Sequence, residues 1–224
     1  MGKGTLLDQL AIPDDIDQLA LAKTRFDGID RDVHKRQGQL EQINEKAANL
    51  KECESHPEVI GDSVANVNLA WDELRQKLGA KHDEFVHGER RQKFVLDVTE
   101  TELWIEEKIT IIDTTRDYGD TLSGVLALQR KLGSLQRDVS AIQSKIAELN
   151  EEAAQIAQKY PEDAQMTNEK LAILDAKFQT LSEALKVREE KLGQAGHLQT
   201  FMRDAAEFQV GFGCWSAKSA RVSL

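Results

Sequence analysis

Arg31-Asp32-Val33 returns 106 positions later as Arg137-Asp138-Val139, and Ile43-Asn44-Glu45-Lys46-Ala47 returns at the same offset as Leu149-Asn150-Glu151-Glu152-Ala153. Farther on, Phe94, Asp97 and Glu100 return at an offset of 107 as Phe201, Asp204 and Glu207. A period this long exceeds one helix pair and describes a small domain copied in tandem. The functional question therefore shifts from what the chain converts to what it spans and holds.

Composition agrees. With 224 residues, 40% of them hydrophobic, the chain is long enough for one or two cored domains. Aromatic residues make up only 5%, while charged residues of both signs make up 30%. That profile suits long helices with one buried stripe. A net charge of −10 argues against nucleic acid as a partner, which needs a basic footprint. No apolar run is long enough to cross a membrane. Residues 1–12 are too short and polar for a secretory signal. Cys53 and Cys214 make neither a disulfide framework nor a zinc site, and a reducing compartment is expected.

Turns are expected at Pro13, Pro57 and Pro161, where the hydrophobic period breaks. A further turn is expected over Thr114–Asp120, with Asp120 or Thr121 capping the next helix. After that turn, Leu128, Leu132, Leu135, Val139, Ile142, Ile146, Leu149, Ala153 and Ile156 alternate spacings of 4 and 3. This is a heptad stripe, which stays on a partner helix only by supercoiling. The first copy carries the stripe Leu19, Ala22, Phe26, Ile29, Val33, Leu40, Ile43 and Ala47, with Arg36 standing where the second copy has Ile142. Stripes also follow Pro57, through Trp71, Leu74, Leu78 and Phe85, and follow Pro161, through Phe178, Leu181, Leu185 and Leu192. No strong turn signal separates Phe85 from Phe94, so one helix is expected to close the first unit and open the second.

Three stripes per repeat close a core that one stripe cannot. The expected fold is all-α: tandem three-helix bundles joined by continuous helices. Trp104 in Leu103-Trp104-Ile105-Glu106-Glu107-Lys108, the turn Asp117-Tyr118-Gly119, and the aromatics Trp71 and Phe178 together resemble the spectrin repeat, a left-handed three-helix coiled coil. The run Gly124–Leu132 followed by Arg137-Asp138-Val139 is most similar to mid-rod repeats of β-spectrin. The resemblance covers residues 5–210 and divides the chain as follows. Residues 1–90 are a partial repeat with helices B and C and a stub of A, and 91–197 are a complete repeat. Residues 198–210 start a third, and 211–224 are an unrelated, disordered tail, with Gly211 where the tryptophan of the third repeat is due. On this division Trp71 and Phe26 should be exposed, and residues 13–85 should be less stable than 94–192.

Nothing in the sequence points to catalytic, cofactor-binding or metal-binding residues, and no cofactor is expected. His82 and His87 are five apart, wrong for two ligands on one helix face. His56 stands in a turn, where the other copy has Tyr160. The pairs Glu106-Glu107, Glu151-Glu152 and Glu189-Glu190 point about 100° apart on a helix and share no proton. Gly88, Gly193 and Gly196 fall near the helical junctions and are expected to soften them, so that Gly88→Ala would raise helicity there.

The resemblance implies a structural, non-enzymatic segment of a membrane-associated actin cytoskeleton protein, cytoplasmic, at the inner face of the plasma membrane. It would act as an elastic spacer and pair side by side, antiparallel, with an α-spectrin-like rod. Actin would be bound only through other domains, with no nucleic acid and no membrane insertion. The second reading is a module docking one partner, adaptor or ankyrin-like, on a helical face, with Arg36, Lys81 and Arg188 as contacts if they prove exposed.

Overall fold

The computed structural model describes the backbone over residues 3–51, 57–115 and 117–222, and side chains over 4–50, 58–115 and 117–210. It is all-α, with no strand among the described residues: α1 (Lys3–Asp8), α2 (Ile16–Lys51), α3 (Pro57–Thr114), α4 (Leu122–Lys159), a 3-10 turn (Pro161–Asp163) and α5 (Ala164–Val222). The expected breaks are present at Pro13, at Thr114–Asp120 and at Pro161. Pro57 opens α3, and the turn before it, with His56 and Cys53, lies outside the described residues. Proline suits that first helical position because its missing N–H would have no intrahelical partner there.

The chain divides into two compact units, Met1–Lys93 and Phe94–Leu224. The division falls inside α3, which continues through it unbroken. In the second unit, the heptad face of α4 buries Val139, Ile142, Ile146, Leu149, Ala153 and Ile156. These pack with Phe94, Val98, Ile105 and Ile112 of α3 and Leu171, Leu174 and Leu181 of α5. Each fully buried side chain of this size is worth about 1.5–3 kcal/mol, so three walls together hold the bundle.

The ends of α4 follow from its sequence. The side chain of Thr121 accepts from the Gly124 backbone N–H at 3.2 Å. At the other end the Tyr160 N–H donates to the Ile156 carbonyl at 2.7 Å, and Pro161 then prevents a further turn. The Thr167 hydroxyl, fully buried, donates to the Asp163 carbonyl at 3.1 Å and ties the 3-10 turn to α5.

The first unit is built from Leu7, Leu19, Ala22, Phe26, Val33, Leu78 and Phe85, with Leu10, Ile12, Trp71 and Leu74 against them. The Phe26 and Phe85 rings lie 5.2 Å apart. This corrects one expectation: Phe26 is buried, and Trp71 is half-buried rather than open. The six-residue α1 and the segment after it place Leu7, Leu10 and Ile12 over this end of the α2–α3 pair. The exposure falls at the other end instead. Ile43, Leu50 and Val67 are 46%, 47% and 42% exposed, where their counterparts Leu149, Ile156 and Leu174 are 2%, 0% and 0%. A reciprocal side-chain amide pair, Asn44 with Asn68 at 3.1 Å in both directions, fixes the α2–α3 register there.

The backbone of α5 runs through Val222. No proline interrupts it, Ala217, Lys218, Ala220 and Arg221 are good helix formers, and extending a helix needs no new nucleus. Gly88 is a packing glycine: a Cβ there would lie 3.0 Å from the Ile12 methyl and 3.5 Å from Leu19. Gly88→Ala therefore loosens the seat of Ile12 and offsets the helical gain, whereas Gly193 has nothing within 4 Å of that position. Gly193→Ala is expected to stabilise by about 1 kcal/mol and Gly88→Ala to give less or to destabilise, as thermal denaturation would show. Equal gains at both sites would contradict this.

Candidate functional site

Arg188 was a candidate surface contact, and the structure places it elsewhere. It lies buried on α5, and its guanidinium donates to the Thr115 carbonyl and, at 3.0 Å, to the Asp117 carbonyl. The guanidinium carbon lies 5.3 Å from the centre of the Tyr118 ring, and Lys191 Nζ lies 5.9 Å from it. The turn is closed from within as well, because Asp117 Oδ1 accepts from the Gly119 N–H at 2.9 Å. Gly119 has φ +85°, and a Cβ there would lie 2.7 Å from Val125 N. Only glycine fits this position without strain. The Asp117-Tyr118-Gly119 turn is thus a latch holding the start of α4 against α5.

Lys81, the counterpart of Arg188 in the first unit, is largely buried and pairs with Glu84 at 2.6 Å. Arg36 is exposed. The three do not form a cluster of free cations. His82 sits on the surface beside Phe26, with ring centres 6.1 Å apart. Glu106 pairs with Lys177, and Glu107 with Lys108. Glu189 and Glu190 are exposed, as is Glu151. Among the described residues no three His, Cys, Asp or Glu are grouped to hold a metal ion.

Ion pairs tie the three helices of the second unit around the core. Lys108, buried on α3, reaches Asp138 of α4 at 3.2 Å, and Lys145 of α4 reaches Asp97 of α3 at 3.4 Å. Lys177 of α5 stands 2.7 Å from both Glu102 and Glu106 of α3. Its hydrogen bonds to Glu102 and then to Glu106 raise its pKa above the ordinary 10.5. A lysine raised in this way stabilises the fold below its unfolded pKa and loses that contribution as pH rises through the folded one. Stability should therefore fall more steeply above pH ~10 in the parent chain than in Lys177→Met. Parallel alkaline denaturation curves would contradict the assignment.

The outward face of α3 was not singled out from the sequence. Leu96, Leu103 and Ile111 are all exposed, and Trp104 is half-buried beside them. A shallow depression next to Leu103 and Trp104 is lined by Asp97, Glu100, Glu107 and Lys145. The signal was available: Leu96, Leu103 and Ile111 recur at near-heptad spacing, out of step with the core positions Phe94, Val98, Ile105 and Ile112. Exposed Ile173 and Val187, two heptads apart, make a similar pattern on α5.

A helical core closed by three walls, a latched turn and a helix running from one unit into the next define a tandem helical-repeat protein. The family described as Spectrin repeat matches residues 2–85 and 89–194. The chain is 34% identical over 210 residues to the spectrin beta chain of Drosophila melanogaster, covering 93% of this chain and 9% of that protein. It is 30% identical over 210 residues to the erythrocytic spectrin beta chain of Mus musculus, covering 93% of this chain and 10% of that one. Similarity to the erythrocytic spectrin alpha chain 1 of Mus musculus is 28% over 130 residues, 56% of this chain and 5% of that one. This chain belongs to the spectrin-repeat family and is a spectrin-type structural segment. It spans about a tenth of the length of the beta-chain relatives it matches.

Proposed function

We propose that this segment serves a spectrin-type membrane skeleton as an elastic spacer and a lateral pairing surface, without enzymatic activity. The observation that carries the reading is the exposed stripe Leu96, Leu103 and Ile111 on α3, which the core of its own unit does not use. Apolar residues in a row on a helix that already has a full core face suit a second helical protein laid alongside. An α-spectrin-like rod, antiparallel, is the partner proposed, at the cytoplasmic face of the membrane. No helix among the described residues is long and apolar enough to cross a membrane. Docking of an adaptor or ankyrin-like protein has less support, since Arg188 and Lys81 are already engaged within their own units.

Sedimentation of the chain with an α-type rod tests this. A complex is expected, and Leu103→Asp with Leu96→Asp should weaken it at least tenfold while leaving the helical content unchanged. Failure to form a complex, or one indifferent to both substitutions, would reject the pairing surface.

A further inference from the structure

Between the buried Phe85 and the buried Phe94, α3 runs for about two turns without burying an apolar side chain. This stretch is held instead by the segment that joins α1 to α2. Gly88 is buried, and a Cβ there would lie 3.0 Å from the Ile12 methyl. The Asp14 carboxylate accepts from the Arg91 guanidinium, and the Asp14 carbonyl accepts from the Gln92 side-chain amide. Lys23 on α2 pairs with Glu89 at 2.5 Å. The joining segment is itself fixed, because Asp15 Oδ1 accepts from the Gln18 N–H at 2.9 Å and so caps α2.

We infer that residues 12–15 form an ionic strap across α3, and that ionic strength sets how firmly this part of the helix is held. The repeat supplies an internal comparison. At an offset of 106, Asp14 corresponds to Asp120 and Lys23 to Gln129, and at an offset of 107, Glu89 corresponds to Gly196 and Arg91 to Leu198. The correspondence is spatial as well: Gln129 Nε2 lies 3.2 Å from the Cβ position at Gly196, just as Lys23 meets Glu89. The second unit therefore keeps the placement but carries only one of the four charges, Asp120. There Gln129 donates to the Leu192 carbonyl at 3.5 Å, and a Val125 methyl lies 3.6 Å from the Gly196 position. Neither contact joins opposite charges, so salt has little to screen. In the first unit the side chains of Arg91, Lys23 and Glu89 are 28%, 39% and 43% exposed, so mobile ions reach the pairs and weaken them as salt rises. For an elastic spacer, and on that reading alone, this makes α3 between Phe85 and Phe94 a salt-tuned point of yield.

Amide hydrogen exchange of the 224-residue chain at low and high salt tests the inference. Exchange over 88–93 is expected to speed up roughly threefold in high salt, the size that exposed ion pairs support, while exchange over 195–200 of α5 stays the same. Asp14→Asn/Glu89→Gln should reproduce the high-salt rate at low salt and respond to salt no further, since both side chains keep their size and lose their charge. Leu198→Arg, which places a cation at the position corresponding to Arg91, should slow exchange over 195–200 at low salt and make it salt-sensitive. Leu198 is exposed, so this variant keeps its fold, and it decides the question should the double variant unfold the first unit. A parent chain whose 88–93 stretch ignores salt, a folded double variant that exchanges and responds like the parent, or no gain over 195–200 in Leu198→Arg would each overturn the strap.

Discussion

Leu149→Ala is expected to lower the stability of the second unit by about 2–5 kcal/mol, while Ile43→Ala, its counterpart in the first unit, costs less than about 1 kcal/mol in dilute solution. The two side chains are isomers, so the transfer free energy removed by truncation is nearly the same. What differs is the surroundings. Leu149 is buried among Phe94, Ile156 and Leu174 on three helices, and its removal leaves a cavity that packed neighbours fill only in part. Ile43, on α2, is nearly half exposed. Water already touches it, so truncation removes little buried surface. The two units can unfold separately, and a single midpoint would mix them. Hydrogen exchange resolved by segment is the suitable measurement. In the parent chain it should show weaker protection over 13–85 than over 94–192, with the Leu149→Ala effect confined to the second segment. Equal costs at the two positions would mean that Ile43 is as well covered in solution as Leu149.

The parts of this architecture that were legible in the sequence are the periodic ones. The stripe from Leu128 to Ile156 needs only helical geometry to predict its buried face, and the α4 cap at Thr121 needs only a hydroxyl ahead of an apolar run. The uninterrupted α3 followed from the absence of a turn signal between Phe85 and Phe94. Properties that depend on a distant segment were not legible. Phe26 was expected in water because α1 is short, yet one buried leucine, Leu7, with Leu10 and Ile12, suffices to cover it. Gly88 looked like a flexible point because it is a glycine near the helical junction, and its role appears only once Ile12 is brought against it. Gly211 marked a change of residue identity, and helix continuation depends on propensity rather than identity. Exposed stripes such as Leu96, Leu103 and Ile111 were hidden by the stronger core stripe on the same helix.

Arg188→Met should destabilise the second unit by about 2 kcal/mol, with the loss concentrated at the junction of α3 and α4. A guanidinium holding two backbone carbonyls makes charge-assisted bonds, each worth about 1.5–3 kcal/mol when formed to a charged group. Solvent reaching the exposed Asp117 offsets part of that loss. Methionine keeps most of the apolar stem in contact with the bundle, so the change reports the head group rather than a cavity. Arg188→Lys keeps the charge but replaces a planar fork with a single ammonium, which cannot span the Thr115 and Asp117 carbonyls in the same geometry. It should therefore recover less than half of the loss. The location of the effect distinguishes a latch from a generic core residue. Amide exchange should accelerate at Gly119, Gly124 and Val125, whose N–H groups bond to Asp117 Oδ1, Thr121 Oγ1 and the Thr121 carbonyl. Protection at Ile142 and Leu149, far along α4, should change only with the global stability. Uniform loss of protection along α4, or full rescue by lysine, would show that Arg188 contributes charge and bulk but does not hold the turn.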